Sequence, residues 1–164
     1  MKRDDFRKAF DEGKIDEFSL MIGLVYGEAR MKEDTMLSER KEYMAIASTV
    51  MNRVSLNPRF PDTIIDVILH PWQFSCFNDN DPNATLVWNF ITKGDSSNKG
   101  SGLYGRIEGM ITPVVKEIAN DFSNSADHYV ALWFYDEASL AHWCRKYPIT
   151  EMHGGHIFLR EVQV

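Results

Sequence analysis

What this sequence lacks narrows it first. Its 164 residues include only two cysteines, Cys76 and Cys144. That is too few for a disulfide framework, and both are expected as reduced, buried thiols. No run reaches the roughly 18 apolar residues of a membrane-spanning helix. The N-terminal stretch MKRDDFRKAFDEGKIDEF carries basic residues but no apolar run of signal-peptide length. The chain is therefore expected to be made in the cytoplasm and not to insert into a membrane. An excess of positive charge is also missing, since 18 Lys and Arg face 24 Asp and Glu, a net charge of −6. Such a surface argues against binding nucleic acid and gives no general attraction to anionic membranes or cell walls. A phosphate loop is absent too: KGSGLYG has neither the flanking strand and helix nor the closing Lys-Ser/Thr. There is no internal repeat and no long low-complexity tract.

What is present fits one globular domain. Apolar residues make up 44% of the chain, enough for a sizeable core at this length. Residues 1–17 read as a charged arm or short helix, and 18–164 as a single domain. Asp16 or Ser19 is placed to start a helix running to about Met31, with Phe18, Met21, Ile22, Val25 and Ala29 on one face. Gly23 and Gly27 lie four apart on another face, and because glycine weakens a helix the pair predicts close packing there. Ser38 is placed to cap a second helix over about 39–56, where Tyr43, Ile46, Ala47, Val50 and Val54 recur at core spacing. Asp62 or Thr63 should cap a short helix through IIDVILH that Pro71 ends. PWQFSCFNDNDPN is an irregular loop, followed by a short helix over about 84–91 and a surface loop over 92–102. A helix over about 103–122 comes next, kinked or restarted at Pro113. HYVALWFY and HIFLREV, rich in β-branched and aromatic residues, predict strands, with a short helix in DEASLAHWCRK between them. The fold class is α+β and mainly helical, with a small C-terminal β element.

LMIGLVYGEARMKE, residues 20–33, poses the chemical question. On a helix, Glu28 lies roughly 80° from the centre of the apolar face, with Leu24 and Val25 one turn back. Burial against such side chains disfavours the charged carboxylate and keeps its proton on to higher pH. A protonated carboxyl is what a departing glycosidic oxygen needs. The plain alternative is a rim glutamate paired with Lys32.

Other groups carry chemistry collectively. MNRV, residues 51–54, sets an amide and a guanidinium at a helix end, and PWQFS, residues 71–75, sets an indole, an amide, a phenyl ring and a hydroxyl on a loop. Aromatic faces stack on sugar rings, and amides bond hydroxyl and acetamido groups. Asn52 and Arg53 also fit a helix cap and a surface charge, and Trp72 and Phe74 fit lids over a core. His128, His142, Cys144, His153 and His156 invite a zinc site, but their spacing matches none of the common closed zinc patterns, and no metal is expected. Neither cysteine sits in a recognisable nucleophile motif.

The ordered series LVYGEAR, AIASTVMNRV, NPRFPDTIIDVILHPWQFS, HYVALWF and GGHIFLRE resembles the cell wall hydrolases of the spore cortex-lytic (SleB-like) type, over about residues 18–160. The chain departs from that pattern in carrying SNSAD before HY and a longer MKEDTMLSERKEY after the first motif. The resemblance implies a lysozyme-like, lytic-transglycosylase-like domain that needs no cofactor. It implies cleavage of peptidoglycan glycan strands between N-acetylmuramic acid and N-acetylglucosamine, with Glu28 as general acid and base. Tyr26, Asn52, Gln73, Phe74, Ser75, His128, Tyr129 and His156 fall on matching positions and are implied groove residues. A lone domain without a leader resembles a bacteriophage endolysin, a monomer that reaches the wall when a holin opens the membrane. Three other readings stand beside it. A hydrolytic muramidase needs a second carboxylate, for which Asp34, Glu39 and Asp127 are candidates. A noncatalytic glycan-binding domain and a zinc-dependent amidase are the others.

Overall fold

The structure, a computed structural model, describes residues 1–29, 38–56, 58–94, 102–116 and 125–161. Helix α1 (Arg3–Asp11) starts at Lys2, whose backbone N–H donates to Asp5 Oδ2 at 2.7 Å. It buries Phe6 and Ala9, and the Phe6 ring meets Phe77 and Trp88 edge-on. Helix α2 (Glu17–Ala29) begins after Asp16, whose Oδ1 accepts the Ser19 N–H at 2.7 Å.

The expectation of a single apolar face on α2 needs correction. Leu20 through Val25 are buried without a break, while Phe18 and Ala29 are only partly covered. Helices α3 (Ser38–Ser55), α4 (Ile64–Ile68), α5 (Pro82–Lys93) and α6 (Leu103–Val115) surround α2. A helix at the centre of a domain has no solvent side to keep polar, so its periodicity is weak. Gly23 and Gly27 are where α2 is approached most closely. A Cβ on Gly23 would lie 2.5 Å from Ile91 Cδ1, and one on Gly27 would lie 2.7 Å from Cys76 Cβ.

Of Asp62 and Thr63, Thr63 is the cap, and Asp81 is a cap not named from sequence. Thr63 Oγ1 accepts the Asp66 N–H at 3.2 Å ahead of α4, and Asp81 Oδ1 accepts the Asn83 N–H at 2.8 Å ahead of α5. The side chains of Ser38 and Glu39 lie outside the described residues, as do most of the 92–102 loop and the end expected for the 103–122 helix. Pro113 sits inside α6 close to its end.

The sheet differs more from expectation. It has three antiparallel strands, β1 (His128–Ala131), β2 (Ile149–His153) and β3 (His156–Leu159), in the order β1-β3-β2. HYVALWFY is strand only to Ala131, after which Leu132–Asp136 turns into helix α7. Its partner β3 is four residues long, so β1 has nothing to pair with further on. Strand β2 was not expected, because ITEMH mixes polar and apolar residues at a sheet edge. DEASLAHWCRK holds only a 3-10 turn at Ala141–Trp143. Cys76 and Cys144 are both free and buried. Among the described residues no helix is long and apolar enough to cross a membrane.

Candidate active site

Helix α2 ends beside two adjoining cavities, and Glu28 sits on its last turn between them. The cavities hold about 270 and 330 Å³ and share Glu28, Ser75, Ala131, Trp133 and His156 as walls. Together they form one groove with Glu28 at its waist. Glu28 Oε1 is buried and accepts no hydrogen bond of good geometry among the described residues, and the buried Tyr129 hydroxyl is in the same position. Burial dominates the carboxyl's behaviour and raises its pKa above the ordinary value. The neighbouring Cys76 thiol, the His156 ring and the Tyr129 hydroxyl oppose that shift without reversing it. Burial and the nearby carboxyl push the Cys76 and Tyr129 pKa values well up, so both groups stay neutral.

The rim is aromatic. Trp72 is 85% exposed and Trp133 is 70% exposed, and both line the groove together with Trp143 and Phe134. Trp72 holds a φ of +65°, a left-handed backbone that costs a bulky residue on the order of 1–3 kcal/mol.

Of the positions implied by sequence, Glu28, Gln73, Phe74, Ser75, Tyr129 and His156 line the cavity of about 270 Å³, with Arg53 and Asn78 beside them. Phe74 and Tyr129 stack at 6.0 Å, and the His156 ring stands edge-on to Tyr129 at 5.2 Å. The remaining three lie outside the walls. Tyr26 stacks flat on Phe90 of α5 at 3.9 Å. Asn52 Nδ2 donates to the Ala126 carbonyl at 2.7 Å, and Arg53 Nε donates to the Asp127 carbonyl at 2.6 Å. Asn52 and Arg53 thus brace the chain just ahead of β1, while Arg53 Nη1 also orients Gln73 through its Oε1 at 2.8 Å. His128 donates from Nδ1 to Asp127 Oδ1 at 2.7 Å and packs against Phe60, Trp143 and Tyr147.

Of the three carboxylates named from sequence, Asp127 is the one whose side chain is described. Asp34 and the Glu39 side chain lie outside the described residues. Asp127 is 1% exposed and engaged by His128, the Glu161 N–H and Arg59, away from the groove walls. Among the described residues, the carboxylate that shares a cavity with Glu28 is Glu42 of α3. It is 4% exposed, and its Oε1 accepts from His156 Nδ1 at 2.6 Å and from the Gly155 N–H at 3.1 Å. Sequence reasoning passed over Glu42 because its partners are more than a hundred positions away. GGH was the available signal: a tight turn that delivers a histidine opposite Ala131, where β1 ends.

A mainly helical domain with a half-enclosed carboxyl in an aromatic groove has the layout of an enzyme that works on sugar polymers. The chain matches the cell wall hydrolase family over residues 38–159 and belongs to it. It is therefore an enzyme that acts on peptidoglycan. The matched span begins after α2, so Glu28 stands outside it. No curated protein and no solved structure matches the chain.

Proposed function

We propose that the chain cuts peptidoglycan glycan strands between N-acetylmuramic acid and N-acetylglucosamine as a lytic transglycosylase, with Glu28 as the acid. The observation that carries this reading is the carboxyl itself. It is held toward its protonated form by burial, at the junction of two cavities rimmed by exposed tryptophans. Glu28 gives its proton to the glycosidic oxygen as the C1–O bond breaks. The muramic acid 6-hydroxyl, already tethered to the reacting sugar, closes on C1 to give a 1,6-anhydro end. The faces of Trp72 and Trp133 suit sugar rings, and the Gln73, Ser75 and Asn78 side chains suit hydroxyl and acetamido groups. Tyr26, Asn52 and His128 support the walls rather than touch the strand.

One observation favours a second reading. Glu42 lines the same cavity as Glu28, so a hydrolytic muramidase with two acidic residues has a place to work. The lytic role in a phage infection, with a holin for access, is a further step of the first reading; co-expression with and without a holin tests it. The test of the central assignment is Glu28→Gln. It should leave a folded protein whose clearing of purified peptidoglycan falls at least ~10²-fold, the lower scale for losing an acid catalyst. Clearing at the wild-type rate by that variant would refute the role of Glu28.

A further inference from the structure

The reaction moves two protons, and the resemblance assigns both to Glu28 in turn. One goes to the leaving oxygen and the other comes off the attacking hydroxyl. In the same cavity as Glu28 is a built pair, of which the resemblance implied only His156. Glu42 Oε1 receives His156 Nδ1 at 2.6 Å and the Gly155 N–H at 3.1 Å. With Nδ1 given to the carboxylate, a neutral ring carries its lone pair on Nε2. The hairpin turn is shaped around this carboxylate. Gly154 has a φ of +56°, and a Cβ there would run into the Glu42 carboxylate. Only glycine satisfies both demands. The ring is further fixed edge-on to Tyr129 at 5.2 Å. It lines both cavities with Glu28.

We propose that His156 is the second proton-handling residue of the reaction, taking the proton of the attacking hydroxyl at Nε2, and that Glu42 is the residue that positions it. This rests on the reading of Glu28 as the acid. The atoms balance without a co-reactant. The O6–H bond breaks and its proton goes to His156 Nε2, while O6 bonds to C1. The C1–O4 bond breaks and O4 takes the Glu28 proton. An imidazolium and a carboxylate then face each other across one cavity, and the proton passing from His156 to Glu28 restores the starting state. Water in place of the 6-hydroxyl follows the same course and gives hydrolysis.

A merely structural pair would tie the β2–β3 turn to α3 and do nothing else. Chemical rescue and a kcat-against-KM split on purified peptidoglycan separate the two roles. His156→Ala should lower kcat at least ~10²-fold, and added imidazole should restore part of that loss. Glu42→Gln keeps an acceptor for Nδ1 and should lower kcat while KM stays near its wild-type value. Glu42→Asp should recover part of kcat, which also covers the case in which Glu42→Gln is poorly stable. Folded His156→Ala and Glu42→Gln variants with wild-type kcat, or a His156→Ala loss that imidazole does not relieve, would overturn the proposal. If Glu28→Gln is inactive and these variants keep wild-type kcat, only the His156 role fails. If Glu28→Gln stays active, the reading beneath it fails.

Discussion

Gly27→Ala tests how tightly the end of α2 is held, and with it the placement of Glu28 one residue later. The added Cβ would stand 2.7 Å from Cys76 Cβ, 2.8 Å from Cys76 Sγ and 2.8 Å from Val87 Cγ2. A thiol can rotate away, but a Cβ moves only with its backbone. Overpacking of this kind costs about 1–3 kcal/mol, and three approaches under 3.0 Å favour the upper part of that range. Alanine returns about 0.8–1 kcal/mol of helix propensity. The net loss is then roughly 1–2 kcal/mol, a fall in Tm of about 2–8 °C for a chain of this size. Gly109→Ala in α6 is the control, because a Cβ there would meet no atom within 4 Å and the change should gain up to ~1 kcal/mol. Thermal melts of both variants give the answer, and the rate of peptidoglycan clearing gives its consequence. Gly27→Ala should also clear more slowly, since pushing α2 off Cys76 moves the Glu28 carboxyl out of register with the groove. A Gly27→Ala protein at least as stable as wild type would refute the close approach.

Three more outcomes follow from the same geometry. Burial raises the folded-state pKa of Glu28, so its contribution to stability is complete below the ordinary carboxyl range and is lost as pH rises through the raised value. Glu28→Gln should therefore melt higher than wild type at neutral pH and alike near pH ~4, as paired melts across that range would show. Trp72→Asn puts a residue that tolerates a positive φ where a bulky one is strained, so Tm should hold or rise while binding of soluble glycan oligomers weakens in calorimetry. Prolonged EDTA treatment should leave clearing intact, because His128, His153 and His156 each give a ring nitrogen to a different carboxylate. Loss of activity that zinc restores would point to the amidase reading.

The legible parts of the sequence were those with local causes. Asp16 and Thr63 cap helices with their own side chains, and each was one of two residues named for its place; Asp81, which caps α5, was not named, and that helix was expected to start about two residues late. The glycine pair in α2 announced a close approach without saying what approaches, since Cys76 and Ile91 come from distant segments. The face of α2 was misread because a helix surrounded by four others loses its polar side. Strand β2 was missed because edge position lets polar residues into a strand. Gln73, Phe74 and Ser75, named together from one short motif, line the same cavity as Glu28. Glu42 was not, because nothing near it in sequence distinguishes it from a surface glutamate. Its meaning comes from Gly155 and His156, which the hairpin brings to it from the other end of the chain.

The most direct measurement of the central claim is the mass of the fragments released from purified peptidoglycan by the wild-type protein and by Glu28→Gln. The wild-type digest should contain muropeptides ending in 1,6-anhydro-muramic acid, about 18 mass units lighter than hydrolysis products and resistant to borohydride because an internal nucleophile replaced water. The Glu28→Gln digest should contain almost none. Reducible muramic ends would transfer the assignment to the hydrolytic reading. Cut stem peptides on intact glycan, or the same glycan fragments from both proteins, would contradict the assignment of Glu28 as the acid that breaks the strand.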